Sequence, residues 1–287
     1  MTAIIIAAHN EASVIGRCLD AIQRDSAPDE FEVIVVANGC TDGTAVEAES
    51  RKVRVIEVAD AGKAPALNIA DAAVSGFPRL YLDADMVLSA ADIRTLSESL
   101  HNGRGFLACA PKRKIKLAGR SPGVRAFFLI QQDLPAYKNG LFGRGAVMLS
   151  EPGRARFVQF PDRIADDLFL DALFAPNERT IVDAVTCQIE APYTTRDLLR
   201  RLVRVRRGNI QLRQAELNMP FSGQPAPQVR RSDRWSWWRD VVLPDPRLAP
   251  AGVVYAALTL TAELQARRSI NDQAWGRDES TRRINTR

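Results

Sequence analysis

The chain has 287 residues and a formal net charge of +5, with 46% hydrophobic and 25% charged residues. These values are typical of a globular protein and exclude a collagen, a disordered tail and a disulfide-stabilised miniprotein. The 4 cysteines lie far apart without a C-x-x-C pair, which argues against a zinc site and favours buried thiols in a reducing compartment.

The first 110 residues alternate short apolar runs, typical of strands, with segments of helical spacing. The predicted strands are Thr2–Ala8, Phe31–Ala37, Val53–Val58, Arg79–Leu82 and Gly105–Ala110. The predicted helices between them are Glu11–Asp25, Gly43–Ser50, Lys63–Ser75 and Ala90–Asn102. This alternation predicts an α/β fold with a mostly parallel sheet covered on both faces. Ligands of such sheets bind beyond the carboxyl ends of the strands, so the loops there should carry the chemistry.

The rest of the chain is less regular. Its predicted elements are the helices Pro122–Leu134, Asp166–Ala175 and Thr195–Gln214 and the strand Gly145–Leu149. After Pro220, a stretch rich in Pro, Gly, Gln and Ser has the composition of a linker. We therefore divide the chain into an α/β domain, residues 1–215, and a linker with a small helical, basic, Trp-containing extension, residues 216–287.

The extension raises the question of membrane contact. From Arg196 onward, 18 arginines against 9 carboxylates give +9, which leaves −4 for residues 1–195. The apolar stretch Ala249–Ala262 is shorter than the roughly 20 residues that span a bilayer, so it predicts a buried or an interfacial helix. Aromatic residues scarcely interleave with the arginines, so we expect no nucleic-acid partner. The chain start lacks the basic region of a signal peptide, which predicts a cytoplasmic protein, with peripheral contact at the inner membrane face left open.

Polar residues follow the first two predicted strands. The first loop contains Ala8, Asn10 and Glu11, and the second reads N-G-C-T-D-G-T from Asn38. An Asn-Gly turn and an Asp N-cap would explain these residue types as well as a ligand would. Both interpretations stay open at this level.

Two further motifs indicate a diphosphate and a metal. Lys63 stands behind a glycine at the first turn of a predicted helix, where it adds its charge to the positive end of the helix dipole. Asp83 and Asp85 close the fourth strand and, at i and i+2, point to the same side. Adjacent carboxylates repel unless a cation intervenes, and Mg²⁺ or Mn²⁺ bridging to substrate phosphates suits such a D-x-D motif.

A second acidic pair, Asp166 and Asp167, begins a later predicted helix. Acidic residues are common at helix starts, and the functional alternative is a general base. On the next helix, Arg200, Arg204 and Arg207 share one face. An arginine stripe is usually solvated, but this one could close over an anionic leaving group.

In this order the motifs resemble those of the family 2 inverting glycosyltransferases, which have the GT-A (Rossmann-like) nucleotide-sugar fold. The resemblance covers roughly residues 2–215 and implies a hexosyltransferase-type enzyme that uses Mn²⁺ or Mg²⁺. It implies Asp167, with Asp166 beside it, as the base, and Asp85, with Asp83, as the metal ligands. Gly145 and Ala146 would border the acceptor. The implied contacts to the nucleotide-sugar are Ala8, Asn10, Glu11, Asn38, Lys63, Asn68, Asp83, Arg204 and Arg207.

Departures from the family pattern bear on the donor and on processivity. The resemblance favours a UDP-sugar, but His9 replaces a frequent tyrosine and Ala37-Asn38 a usual Asp-Asp in the base-recognition pocket, so GDP- and dTDP-sugars stay alternatives. The Q-x-x-R-W motif of many processive members keeps only its arginine, which favours a non-processive enzyme acting on a sugar, lipid-linked or small-molecule acceptor. The alternatives are a sugar nucleotidyltransferase, whose G-x-G-T-R-type loop is missing here, and a non-catalytic binder of nucleotide-sugar or nucleic acid.

Overall fold

A seven-stranded mixed sheet forms the centre of the computed structural model, which describes residues 1–161, 166–215 and 233–268. The strands are β1 (Thr2–Ala8), β2 (Phe31–Asn38), β3 (Arg54–Val58), β4 (Arg79–Leu82), β5 (Ala108–Lys116), β6 (Ala146–Leu149) and β7 (Arg179–Glu190). Their order is β3-β2-β1-β4-β6-β5-β7, and only β6 runs antiparallel to its neighbours. The predicted mostly parallel sheet is confirmed.

Helices cover both faces of this sheet. They are α1 (Ala12–Gln23), α2 (Thr44–Glu49), α3 (Lys63–Ala73), α4 (Ala90–His101), α5 (Pro122–Gln131), α6 (Pro135–Asn139), α7 (Glu151–Arg154), α8 (Asp166–Ala172), α9 (Thr195–Ala215) and α10 (Ala249–Arg268). Ile5 of β1 packs with α3 and α8, whereas Ile4 and Ile6 pack with α1 and α4. Because successive side chains of a strand point to opposite faces, the unbroken apolar run of β1 supplies both cores.

The structure corrects two of the predicted elements. The strand predicted over Gly105–Ala110 begins at Ala108 and runs on to Lys116, into residues whose polar character hid it. β7 was not predicted at all, although Val185, Cys187 and Ile189 are buried and alternate with exposed residues. Both segments are half-exposed strands. Such strands are recognised by an alternation of apolar and polar residues with a period of 2, and not by a continuous apolar run.

The predicted helical extension is present and packs against the α/β domain. Tyr255 of α10 stacks on Phe127 of α5 with ring centroids 4.9 Å apart. A Cβ on Gly252 would come within 2.8 Å of the Trp237 ring, so this glycine permits the close approach of α10 to the π-helix Trp237–Val242. The division at residue 215 remains a prediction, since residues 216–232 lie outside the described ranges. None of the described helices combines the length and the apolar character needed to cross a bilayer.

Candidate active site

The site lies where parallel strands β1, β2 and β4 end at one edge of the sheet. Asn38, the last residue of β2, joins the loops that meet there. Its amide nitrogen donates to the carbonyl oxygen of Ala8 at 2.9 Å, and its amide oxygen accepts from the backbone N–H of Gly62 at 3.0 Å. The side chain is 1% exposed. We predicted a contact of Asn38 with the nucleoside, but its amide is directed to the backbone, so its geometry favours holding the loops over pairing with a base.

The first two loops are also joined by side chains that cap each other's backbone. Asn10, at φ +55°, accepts from the backbone N–H of Thr41 at 2.7 Å. Asp42 accepts from the N–H of Thr44 at 3.0 Å and from the N–H of Ala12 at 3.2 Å, so one carboxylate serves the starts of α2 and α1. Asp42 therefore binds backbone N–H groups at both helix starts, as a capping side chain does, although the N-cap residue of α2 is Gly43. A nucleotide contact by Ala8, Asn10 or Glu11 stays a prediction.

Lys63, at the start of α3, lies between the two predicted acidic motifs. Its Nζ is 2.7 Å from Oδ1 of Asp83 and 2.9 Å from Oδ2 of Asp166. Burial alone would lower the pKa of Lys63, but the carboxylates of Asp166 and Asp83 outweigh it and raise that pKa well above its usual range. The lysine is thus a fixed positive charge that links the end of β4 to the start of α8.

Asp83 is held by the turn that ends β4. Its N–H donates to the carbonyl oxygen of Gly145 at 2.8 Å, and its carbonyl oxygen accepts from the N–H of Met86 at 3.0 Å. Gly145, at φ +68°, faces this turn, and a Cβ there would stand 2.7 Å from Met86 and 3.3 Å from the Asp83 carboxylate. Gly145 therefore lies against the D-x-D motif, and its predicted acceptor contact would have to be made from that position.

Asp167 is a carboxyl group with a raised pKa beside the Lys63 cluster. Its Oδ2 accepts from the backbone N–H of Gly143 at 2.7 Å. Burial, reinforced by the charge of Asp166, raises the pKa of Asp167 to about 6, against the lowering effect of the Gly143 bond and of Lys63. A carboxylate in this range is ionised near neutral pH and basic enough to accept a proton, which is the property a general base needs.

Asn68 of α3 forms a two-way hydrogen bond with the backbone of Phe160. Its amide nitrogen donates to the Phe160 carbonyl at 3.0 Å, and its amide oxygen accepts from the Phe160 N–H at 2.7 Å. This pairing anchors the chain shortly before the acidic pair, and the predicted contact of Asn68 with the ribose or phosphate stays a prediction. Residues 162–165, between this anchor and Asp166, lie outside the described ranges.

The donor set at this edge fits a divalent metal that substrate phosphates help to hold. Within the described ranges, no three His, Cys, Asp or Glu side chains are grouped to bind a metal alone. Asp83 and Asp85 supply hard oxygen donors, and Asp83 already contacts Lys63. Mg²⁺ is usually bound through one or two carboxylates plus substrate phosphates, and this set matches that pattern.

The three arginines of the predicted stripe on α9, Arg200, Arg204 and Arg207, differ in their exposure to solvent. Arg200 is 64% exposed and pairs with Asp197 at 3.1 Å. Arg204 and Arg207 are half-buried, and their role at the leaving group stays a prediction. Arg113 of β5 stacks on the Tyr137 ring at 4.3 Å, and burial raises the pKa of Tyr137 against the lowering effect of Arg113, Arg206 and Arg201. We did not predict this cluster, because its members are far apart in the sequence and share no motif.

Comparisons with known proteins agree with this geometry. The family model described as "Glycosyl transferase family 2" matches residues 3–150. The fold is similar to that of the mannosyltransferase PcManGT from Pyrobaculum calidifontis, solved with GDP-Man and Mn²⁺, at 19% identity and a TM-score of 0.68 over 95% of this chain and 88% of that one. It is also similar to glucosyl-3-phosphoglycerate synthase from Mycobacterium tuberculosis, solved with Mn²⁺, UDP and glucosyl-3-phosphoglycerate, at 19% identity and a TM-score of 0.55 over 78% of this chain and 82% of that one.

No match was found among curated proteins. The family match covers more than half of the chain, including β1, β2, β4 and the Asp83–Asp85 motif. The two similar structures share the fold at low identity. The chain therefore belongs to glycosyltransferase family 2 and is a glycosyltransferase.

Proposed function

We propose that this protein is an inverting, non-processive glycosyltransferase that moves a sugar from a nucleoside-diphosphate sugar to an acceptor hydroxyl or amine. The observation that carries the proposal is the position of Lys63 between Asp83 and Asp166, which brings the D-x-D motif and the acidic pair to one edge of the sheet. A UDP-sugar is the favoured donor, with GDP- and dTDP-sugars as alternatives. Both similar structures hold a nucleotide and Mn²⁺, which supports this class of donor.

The donor side would stabilise the departing nucleoside diphosphate. Asp85 and Asp83 would hold Mn²⁺ or Mg²⁺, which offsets the negative charge of the diphosphate when it is bound. Lys63 adds a permanent positive charge at the start of α3, since its carboxylate partners keep it protonated. Charge stabilisation of this kind is usually the largest single contribution to catalysis.

The acceptor side would activate the nucleophile. Asp167 takes the proton of the acceptor hydroxyl or amine as the acceptor oxygen or nitrogen attacks the anomeric carbon. The bond to the diphosphate breaks in the same displacement, so the configuration at that carbon inverts. The two oxygens of Asp167 accept from the backbone N–H groups of Gly143 at 2.7 Å and of Leu168 at 2.8 Å, and each oxygen keeps a further lone pair that can take the proton of the acceptor. General base catalysis contributes roughly 10²- to 10⁴-fold to such a reaction.

A donor-hydrolysis assay tests this function without knowledge of the acceptor. UDP-, GDP- and dTDP-sugars are incubated with the full chain and Mn²⁺, with Mg²⁺ or with EDTA, and the released nucleotide is measured. We expect metal-dependent release from one donor class, and NMR of the first sugar product should show the inverted anomer. Binding without release, or a retained configuration, would contradict the proposal.

We also propose that the outer face of α10 contacts an anionic membrane surface. Val253, Leu260 and Leu264 lie on one stripe of this helix and are 66%, 59% and 51% exposed. Trp237 is packed in the seam with α10, whereas Trp238 is 45% exposed. Arginines lie at both ends of the helix, and such cations favour anionic headgroups by about 1 kcal/mol each.

Co-sedimentation with anionic vesicles at low salt tests this contact. The full chain should bind, and the double variant Leu260→Glu, Leu264→Glu should lose most of that binding. Val46→Glu is the matched control, because Val46 is 70% exposed on α2 and lies outside the stripe. Equal binding of all three proteins, or none, would leave α10 as a purely structural helix.

A further inference from the structure

Two neighbouring arginines near Asp167, Arg144 and Arg113, differ in how many hydrogen bonds their guanidinium groups donate. Arg144 is 1% exposed and donates to four backbone carbonyls, those of Gly140, Pro111, Tyr137 and Lys138. Arg113, on β5, donates one hydrogen bond, to the Gln131 carbonyl at 3.3 Å, and stacks on the Tyr137 ring at 4.3 Å. A guanidinium has five N–H donors. Among the described residues, most N–H groups of Arg113 thus donate no hydrogen bond, and its guanidinium contacts no carboxylate.

Arg113 faces the loop that holds the proposed base. A Cβ on Gly143 would stand 3.8 Å from its Nη1 and 3.9 Å from Cε1 of Tyr137. The N–H of the same Gly143 binds Asp167 at 2.7 Å. The guanidinium of Arg113 and the carboxylate of Asp167 therefore flank one glycine, at which no side chain intervenes.

Two arginines of α9 add to this positive region. Burial raises the pKa of Tyr137, and Arg206 and Arg201 lower it together with Arg113. Arg201 also donates to the carbonyl oxygen of Glu190 at 3.4 Å. Arg206 reaches Glu263 only at 3.6 Å, and that carboxylate also pairs with Arg267 at 2.6 Å. The Nε of Arg206 is buried without a hydrogen-bond partner in the part of the chain that the structure describes. Burial is the main cause that lowers the pKa of Arg113 to about 10; Tyr137 opposes it and the charge of Arg201 adds to it.

We propose that Arg113, Arg201 and Arg206 bind a carboxylate or phosphate group of the acceptor, so that the substrate which receives the sugar is an anion. This inference rests on the proposed function, because it takes Asp167 as the base that activates the acceptor. Planar guanidinium groups match the oxygens of both anions, and burying an unpaired donor is costly. An anion held here would bring a hydroxyl a few atoms away to Asp167.

Titration calorimetry of the full chain with glycerol 3-phosphate, glycerate and glycerol tests the charge requirement. The two anions should bind measurably and glycerol should not. Arg113→Met and Arg201→Met should each weaken anion binding about 10-fold or more, the effect of losing a charge-assisted hydrogen bond. Arg196→Met is the matched control, since Arg196 is exposed on the same helix as Arg201 and should leave binding unchanged.

Anions that bind no better than glycerol, or that bind equally well to the Arg113 and Arg201 variants, would overturn the inference. If Arg113→Met does not fold, the anion affinity of Arg201→Met alone tests the inference. Donor hydrolysis without acceptor separates the two proposals. Hydrolysis with no preference for anions refutes the anionic acceptor alone, whereas arginine-dependent anion binding without hydrolysis of any donor refutes the transferase mechanism and leaves the anion site standing.

Discussion

The proposed donor side and the proposed acceptor side of the site carry opposite charges. The donor side gathers carboxylates around Lys63, and its loops are joined to one another by Asn38 and Asp42. The acceptor side gathers arginines from β5 and α9 around Tyr137, with few carboxylate partners among the described residues. Asp167 and Gly143 lie at the boundary. The division suggests that a cation completes the first side and an anion the second.

Replacing Asp167, the proposed base, should have the largest effect on the transfer rate. Asp167→Asn is expected to lower the transfer rate by about 10²-fold or more and to keep donor binding, because an amide cannot accept the proton. Asp166→Asn should be milder, since Asp166 acts through Lys63. Transfer by the unsubstituted protein should also decline as the pH falls below the Asp167 pKa of about 6. Steady-state kinetics at several pH values measures the rates of the two variants and the pH dependence of transfer. If Asp166→Asn lowers the transfer rate more than Asp167→Asn, Asp166 is the base.

The next largest effect should come from the metal ligands on the donor side. Asp85→Ala is expected to lower metal-dependent transfer by about 10²- to 10³-fold, the usual result of removing one stabiliser of developing charge. The apo fold should keep its stability, because one fewer carboxylate relieves repulsion. Calorimetry with UDP–Mn²⁺ and GDP–Mn²⁺ provides the check. An unchanged affinity in an active protein would remove Asp85 from the metal site.

Loss of the Asn38 amide should affect stability on the donor side. Asn38→Ala leaves the Ala8 carbonyl and the Gly62 N–H without their partner, which should lower the free energy of unfolding by about 1–3 kcal/mol. Asn139→Ala, at an exposed asparagine, is the control. Urea denaturation compares them. If Asn38→Ala keeps full stability and loses only nucleotide affinity, the side chain faces the ligand after all.

The smallest effect should be on the pH dependence of the protein's stability, to which the raised pKa of Asp167 contributes. Burial raises the pKa of Asp167 from 3.8 to about 6 in the folded protein, so the folded state binds more protons than the unfolded state between those values. Its contribution to stability therefore falls as the pH rises through that window. The melting temperature of the unsubstituted protein, compared with that of Asp167→Asn at the same pH, should therefore fall as the pH rises from 4 to 6; the comparison across pH cancels the constant cost of an amide that can accept from only one of the Gly143 and Leu168 N–H groups. Asp25→Asn, at an exposed aspartate, should show no such trend.

The elements of the donor side could be predicted from the sequence because each depends on a short stretch of chain. Ile4, Ile5 and Ile6 mark a buried strand, and Asp83 and Asp85 share one side of a strand end through a period of 2. Lys63 at a helix start is equally local. These patterns also carry the family resemblance, which the match to residues 3–150 confirms.

Only the tertiary structure decided which partners these groups have. Asn38 was predicted to border the nucleoside, and its amide binds the backbone because β1 ends and α3 begins beside it. The acceptor side joins Arg113, Tyr137 and Arg201, which come from a strand and two helices and follow no sequence period. The pKa of Asp167 depends on burial and on Asp166, Lys63 and Asp83 together. Periodicity determines which side of its own element a residue occupies, whereas long-range packing determines what it meets there.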